Sequence, residues 1–179
     1  MLIAGAAGHV GRAATVIALR AGARVLATAG AGDLEECRRL GADAVFDYHD
    51  PDLAQVLRGI AGGEVDVHLD TSGHHDLDLA VDLASRRGRV VLMAGIGERP
   101  ELPVGRVYTK DVTLTGFAIS SATVADLGEA AGRLNQLFAA GALVPRRVQR
   151  LPLSAAGEAH RRLEAGEARG VRLVLVPGD

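Results

Sequence analysis

The stretch LIAGAAGHVGRAA, residues 2–14, decides the fold. An apolar run from Leu2 to Ala4 meets glycines at positions 5, 8 and 11, and an alanine-rich segment follows. The run reads as a strand, the glycines as a tight turn, and residues 9–21 as a helix. In the frame x-x-G-x-x-G, Ala6-Ala7-Gly8-His9-Val10-Gly11, Ala6 stands at the usual first glycine. Gly8 would let the backbone approach a pyrophosphate, and Gly11 would let helix and strand pack closely. The N–H groups at the helix start would hold the phosphates. The same residues also fit a strand-to-helix corner with no ligand. Context favours the dinucleotide reading: the loop follows a strand, opens a helix and sits in a βαβ unit of about 30 residues.

Outward from this loop, β-branched apolar runs alternate with helical patterns. Strands are predicted at residues 24–28, 44–47, 65–70, 89–94 and 112–118. Helices are predicted at 34–40, 51–60, 77–85 and 124–140. Asp33 is expected to cap the second helix, with Gly41 just past its end, and Pro51 to occupy the first helical position of the third. A proline-bearing loop is expected over 95–105. Such alternation gives an α/β fold with a doubly wound parallel sheet, strand order 3-2-1-4-5-6. The tail differs: 146–151 reads as extended, 155–165 as helical and 171–176 as a last strand, in a sheet of its own. Pro145 marks the boundary, giving domains 1–144 and 145–179.

Composition excludes several classes. The 179 residues carry a formal charge of −2 with 23% charged side chains, and no basic stripe suits nucleic acid. The only cysteine is Cys37, which rules out an intramolecular disulfide and a CxxC-type zinc site and fits a cytoplasmic protein. No apolar run reaches the ~20 residues that span a bilayer, and no charged n-region follows Met1, so neither membrane nor signal peptide is expected. Lys110 is the lone lysine, so phosphate contacts fall to arginine or to backbone N–H groups.

The second strand ends in Thr28-Ala29-Gly30-Ala31-Gly32, with no carboxylate before Asp33. An acidic residue there would hold the ribose 2′-hydroxyl of NAD. Its absence and the small loop leave room for a 2′-phosphate, favouring NADP(H) over NAD(H). Other sites read more plainly. His74 and His75 are expected at a solvent-exposed helix start, His68 as a hydrogen-bonded core histidine, and His160 and Cys37 as packing residues. Asp70, ending the fourth strand, suits either a ligand-facing role or turn formation. Tyr108 and Lys110 form YTK, not the YxxxK of short-chain dehydrogenases. No Ser-His-Asp set has a nucleophile-elbow context.

The motifs GAAGHVG, ATAG, LGADAVFDY, VDVHLDTSG, GRVVLMAG, TLTGF and LPLSAAGEAHRRLEAG occur in that order, followed by VRLVL. Together they resemble the cofactor-binding half of a zinc-independent quinone oxidoreductase of the medium-chain dehydrogenase/reductase superfamily. The resemblance covers essentially the whole chain. It implies a Rossmann-type sheet, and hydride transfer from NADPH to a quinone or other activated alkene or carbonyl. It implies that Ala7, Gly8, His9 and Val10 line the pyrophosphate, with Gly30 in the turn after the second strand and Tyr48 near the adenosine phosphate. Thr71 and Ser72 follow the fourth strand. Ala94, Gly95 and Ile96 lie near the nicotinamide ribose, and Phe117, Ala118 and Ile119 near the nicotinamide. No zinc and no other metal is implied.

The chain departs from the family pattern at two places. His9 replaces a frequent glycine, and Gly32-Asp33-Leu34 replaces a segment that often carries a lysine for the 2′-phosphate. Arg38 or Arg39 would have to substitute, although both also read as solvated helix residues. Family members place a β-rich substrate domain before the glycine loop, so the chain is expected to be the nucleotide half alone and inactive by itself, its tail returning to that absent domain. A non-catalytic nucleotide-binding module is the alternative. The strand at 112–118 would be the sheet edge, and in the family that edge often pairs across a homodimer. Val112, Leu114 or Phe117 would then meet the partner, and proline at Thr115 would remove an edge donor.

Overall fold

The computed structural model describes residues 1–60 and 64–178. They fall into two compact units, Met1–Glu129 and Ala130–Asp179. The first holds a six-stranded parallel sheet in the order β3-β2-β1-β4-β5-β6. Its elements run β1 Leu2–Ala4, α1 His9–Arg20, β2 Leu26–Ala29, α2 Leu34–Arg39, β3 Ala44–Asp47 and α3 Leu53–Ile60. They continue with β4 Val65–Asp70, α4 Leu77–Leu83, β5 Ala84–Leu92, α5 Val104–Thr109 and β6 Thr113–Gly116. Helix α6, Val124–Ala139, follows.

The shortest strand shows why both sheet faces are covered. Neighbouring residues of a strand point to opposite faces. Leu2 packs with Leu26, Leu57, Val65 and Leu83, whereas Ile3 packs with Ala6, Ala18, Ala27 and Cys37. Cys37 is thus the core residue its sequence context suggests. A third cluster joins Leu77, Ala80, Ala84, Val90 and Val112. Arg12 of α1 and Glu36 of α2 form an ion pair buried between their helices.

Helix α1 ends as its sequence implies. Gly22 takes φ +80°, and its N–H donates to the Leu19 carbonyl while that of Ala23 donates to Ala18. Gly41 closes α2 at φ +97°. Asp33 does occupy the α2 N-cap position, but its side chain makes no capping hydrogen bond. Helix α3 starts at Leu53, two residues later than Pro51 suggests, because the Asp50 carboxylate accepts the Asp52 N–H at 2.9 Å and holds a turn there.

Three sequence expectations fail at elements shaped by distant partners. Helix α4 stops at Leu83, since Ala84 pairs with Val65 of β4 and Ser85 Oγ donates to Asp66 at 3.0 Å. A short helix, α5, occupies ground left to loop. Val107 packs it on the third cluster, and Arg106 reaches Asp78 and Asp82 on α4. Strand β6 is the sheet edge, but Val112 is 8% exposed and Leu114 packs beside it, so both belong to this chain's own core. The Phe117 N–H donates to Leu92 O at 3.2 Å. Strand alternation then turns the Thr115 N–H toward β5 as well, leaving Leu114 and Gly116 to present theirs outward. Thr115 is therefore the wrong position for a proline aimed at that edge.

The second unit contains β7 Val148–Pro152, α7 Ala156–Glu164 and β8 Arg172–Val176. Strands β7 and β8 pair in parallel as a separate two-stranded sheet. Arg162 on α7 donates to Gln149 on β7 at 2.9 Å, and Ala159 is buried at the α7 base.

Candidate functional site

Strand β1 lies between β2 and β4, where the chain's progress across the sheet reverses. Open α/β sheets bind ligands outside the carboxyl ends of their strands at such a reversal. The glycine loop stands there. Its positive φ, +75°, falls on Gly5 rather than on Ala6, which is fully buried. A β-carbon on Gly5 would lie 2.8 Å from Thr71 Oγ1 and 3.1 Å from the Ser72 nitrogen. On Gly11 it would lie 2.2 Å from the Gly5 carbonyl oxygen, so Gly11 is the close-packing glycine. Gly8 is different. It is the exposed N-cap of α1 at φ −68°, and a β-carbon there would meet only Gly5 O, at 3.3 Å. His9 and Val10 are exposed beside it, Ala7 half-buried.

The loop after β4 is built around Asp70. Its Oδ1 accepts the Ser72 N–H at 2.8 Å and the Ser72 hydroxyl at 2.7 Å, and Oδ2 lies 2.8 Å from His75 Nδ1. Burial alone would raise the Asp70 carboxyl, but the Ser72 and His75 hydrogen bonds outweigh it and hold it below its ordinary value. The Thr71 hydroxyl donates to Ala4 O at 2.8 Å, tying this loop to the end of β1. Thr71 and Ser72 thus turn their hydroxyls into the protein's own loops.

Two histidines depart from expectation. His75 is not solvent-exposed: its side chain is 4% exposed, held at Nδ1 by Asp70 and at Nε2 by the Ala94 carbonyl, 2.9 Å away. His74 alone is on the surface, 3.5 Å from the Glu98 carboxylate. His68 is buried in β4, as read from the sequence, yet neither ring nitrogen has a hydrogen-bond partner. Burial pushes its pKa down and keeps the ring neutral.

The remaining sequence-derived positions fall into two groups. Ala94 and Gly95 follow β5 and meet the Gly73 turn, where a β-carbon on Gly95 would lie 2.7 Å from Gly73 O. Ile96, Phe117 and Ile119 are large apolar side chains left exposed at the ends of β5 and β6, with Ala118 also exposed. Gly30 and Tyr48 stand together after β2 and β3: a β-carbon on Gly30 would come 3.4 Å from Tyr48 Oη. This group joins the loop through Ala6, whose N–H donates to Thr28 O at 3.0 Å. Arg38 pairs with Glu35 at 3.5 Å and Arg39 with Glu36 at 3.1 Å, both with exposed guanidinium groups.

Comparison with known proteins accounts for this arrangement. The sequence profile of the zinc-binding dehydrogenases matches residues 10–135. The chain belongs to the zinc-binding dehydrogenase family. It is similar to the quinone oxidoreductase of Mus musculus, 28% identical over 98% of this chain and 54% of the mouse protein. Among solved structures, a 2-haloacrylate reductase superposes with TM-score 0.87 at 26% identity over 99% of this chain and 57% of that one. A mycobacterial quinone oxidoreductase gives TM-score 0.85 at 29% identity, over 98% and 56%. This zinc-binding dehydrogenase chain therefore spans about half the length of the curated relatives it matches, and corresponds to their cofactor-binding domain. Among the described residues no three His, Cys, Asp or Glu side chains are grouped to hold a metal ion. No helix among them is long and apolar enough to cross a membrane.

Proposed function

We propose that the chain is the NADP(H)-binding domain of a quinone-oxidoreductase-like enzyme. The observation that carries the reading is the exposed Gly8, at the start of α1 and at the sheet's reversal point. The first N–H groups of a helix lack intrahelical acceptors, and no acidic residue occupies the first turn of α1 to compete for them. Gly8, His9 and Val10 would hold the pyrophosphate there, with Ala7 behind them. Tyr48, across from Gly30, would flank the adenosine phosphate. The turns Ala94–Gly95–Ile96 and Phe117–Ala118–Ile119 would take the nicotinamide end, with Thr71 and Ser72 fixing the loop between.

When bound, NADPH supplies the hydride. The reaction class is hydride transfer to an activated alkene or carbonyl, quinones included, with a proton taken from water. Within this chain no acid–base residue is assigned; its part is to bind, orient and exclude water. The exposed Ile96, Phe117 and Ile119 suit a cleft wall that a substrate domain, joined through the tail from residue 145, would cover. The protein is cytoplasmic in this reading.

The test is a pair of calorimetric titrations. NADPH is expected to bind several-fold more tightly than NADH, because no carboxylate ends β2. Equal or reversed affinities would defeat the preference, and no binding of either would defeat the reading. The sheet edge carries a second expectation, a homodimer through β6. The strand presents the N–H groups of Leu114 and Gly116 on its outer side with no charged side chain from Thr113 to Gly116. A β-carbon at Gly116 has room, 3.7 Å from Leu92 O. Gly116→Pro should therefore remove an outward donor while sparing the bonds to β5. Light scattering should give a dimer mass for the native chain and a smaller mass for the variant; a native monomer at high concentration rejects the dimer.

A further inference from the structure

His75 has two hydrogen-bond partners, and neither can donate. Asp70 Oδ2 lies 2.8 Å from Nδ1, and the Ala94 carbonyl oxygen lies 2.9 Å from Nε2. A neutral imidazole carries one N–H and an imidazolium two. Asp70 is fully engaged as an acceptor, taking two further hydrogen bonds from Ser72. Only a charged His75 satisfies both contacts, and with 4% of its side chain exposed, water is poorly placed to substitute.

The geometry points to His75 as a charged positioning residue that holds the Ala94–Gly95–Ile96 turn against the loop after β4. This rests on the reading above, in which that turn serves the cofactor. The tie is part of a continuous chain of contacts. Gly5 abuts Thr71 and Ser72, Ser72 binds Asp70, Asp70 binds His75, and His75 binds Ala94. A β-carbon on Gly95 would lie 2.8 Å from His75 Nε2, so the imidazole fills the space under the turn. When the ring loses a proton, it keeps one N–H for two acceptors. Two lone pairs then face each other across whichever contact goes unserved, and the turn is released.

The acidic groups facing the ring both favour its charged form. Asp70 comes from β4, which also carries the buried His68, and Glu98, with the loop residue His74 beside it, comes from the segment after β5. Burial alone would lower the His75 pKa. The hydrogen bonds to Ala94 and Asp70 and the charges of Asp70 and Glu98 outweigh it, and the net shift is upward from 6.5. A raised value means the tie is intact below 6.5 and is lost as pH rises through the folded value.

The experiment follows the 179-residue chain and its His75→Gln variant, which cannot titrate, from about pH 6 to about pH 9, the range of histidine ionisation. NADPH isotherms read the consequence, and the carbon-13 shift of the Ala94 carbonyl reads the tie itself. In the native chain the Ala94 shift should follow the His75 ring with one midpoint, and affinity should fall roughly tenfold above it, within the usual range of coupling between sites. Both inflections should vanish in the variant. Any inflection from the cofactor's 2′-phosphate is common to both proteins and cancels in their ratio. Identical affinity profiles, or an Ala94 carbonyl silent through the ring's titration, would overturn the proposal. If NADPH binds at no pH, the cofactor role falls with the reading beneath it, while the carbonyl shift still decides whether His75 holds the turn. Should the variant fail to fold, the native chain's two profiles decide by sharing a midpoint or not.

Discussion

Gly8→Asp should abolish NADPH binding and leave the fold intact. The two effects separate because Gly8 is an exposed N-cap in extended backbone, φ −68° and ψ 166°, where a β-carbon would press only on the Gly5 carbonyl oxygen, 3.3 Å away. Aspartate is among the preferred N-cap residues, and replacing glycine by it changes helix stability by only a few tenths of a kcal/mol, in the favourable direction. Its carboxylate would occupy the same N–H groups that the pyrophosphate needs, and would add a negative charge beside the phosphates. Two unit charges about 4 Å apart at an effective dielectric of about 20 repel by about 4 kcal/mol, which is roughly a thousandfold in affinity. A loss of at least a hundredfold is therefore the expected result, with a Tm little changed because the small gain from capping is offset by the contact with the Gly5 carbonyl. Calorimetric titration and thermal unfolding of the same sample check both parts. Retained affinity would move the pyrophosphate to another loop; a markedly lowered Tm would show that the Gly5 carbonyl does not give way to the new β-carbon.

What the sequence made legible was local or periodic. Six strands separated by helices pointed to a doubly wound parallel sheet, because parallel strands need helical crossovers; in the observed order β3-β2-β1-β4-β5-β6 these put α1 and α2 on the Ile3 face and α3 and α4 on the Leu2 face. The glycine loop was legible because its spacing has a steric cause, visible in the contacts of Gly5 and Gly11. Helix α5 was not. It has six residues, one of them Gly105, too few to show a period, and Arg106 and Val107 hold it through partners on other elements. His75 was misread for a related reason. A His-His pair after glycine looks like surface, and nothing nearby in sequence signals that Asp70 and Ala94 lie on either side of the ring. Asp70 at the strand end was the available hint, since a buried carboxylate needs donors. The Thr115 error was one of phase: strand propensity identifies an edge, but the Phe117–Leu92 hydrogen bond is needed to say which N–H groups face outward.

Three residues from Gly8, the same kind of substitution should act on stability instead. Gly11→Ala adds one β-carbon 2.2 Å from the Gly5 carbonyl oxygen, 2.7 Å from Ala6 Cα and 2.9 Å from the Gly5 carbonyl carbon. All three are backbone atoms, so no side chain can rotate away. Either α1 moves off β1 or the turn at Gly5 opens. The first separates Ala18 from the cluster of Ile3, Ala27 and Cys37. The second drives Gly5 against Thr71 and Ser72. Alanine's helix propensity works the other way, by up to about 1 kcal/mol, while overpacking in a close-packed core costs about 1–3 kcal/mol and sometimes more. Contact with backbone belongs at the upper end of that range, so a net loss of about 2 kcal/mol is expected. That is a large share of the roughly 5–15 kcal/mol that holds a domain together. Urea unfolding should show a lower midpoint with an unchanged slope. Cofactor affinity per folded molecule should also drop, since α1 presents its N-terminus from the position that Gly11 allows. A variant as stable as the native chain would mean that helix and strand do not depend on the missing β-carbon at Gly11.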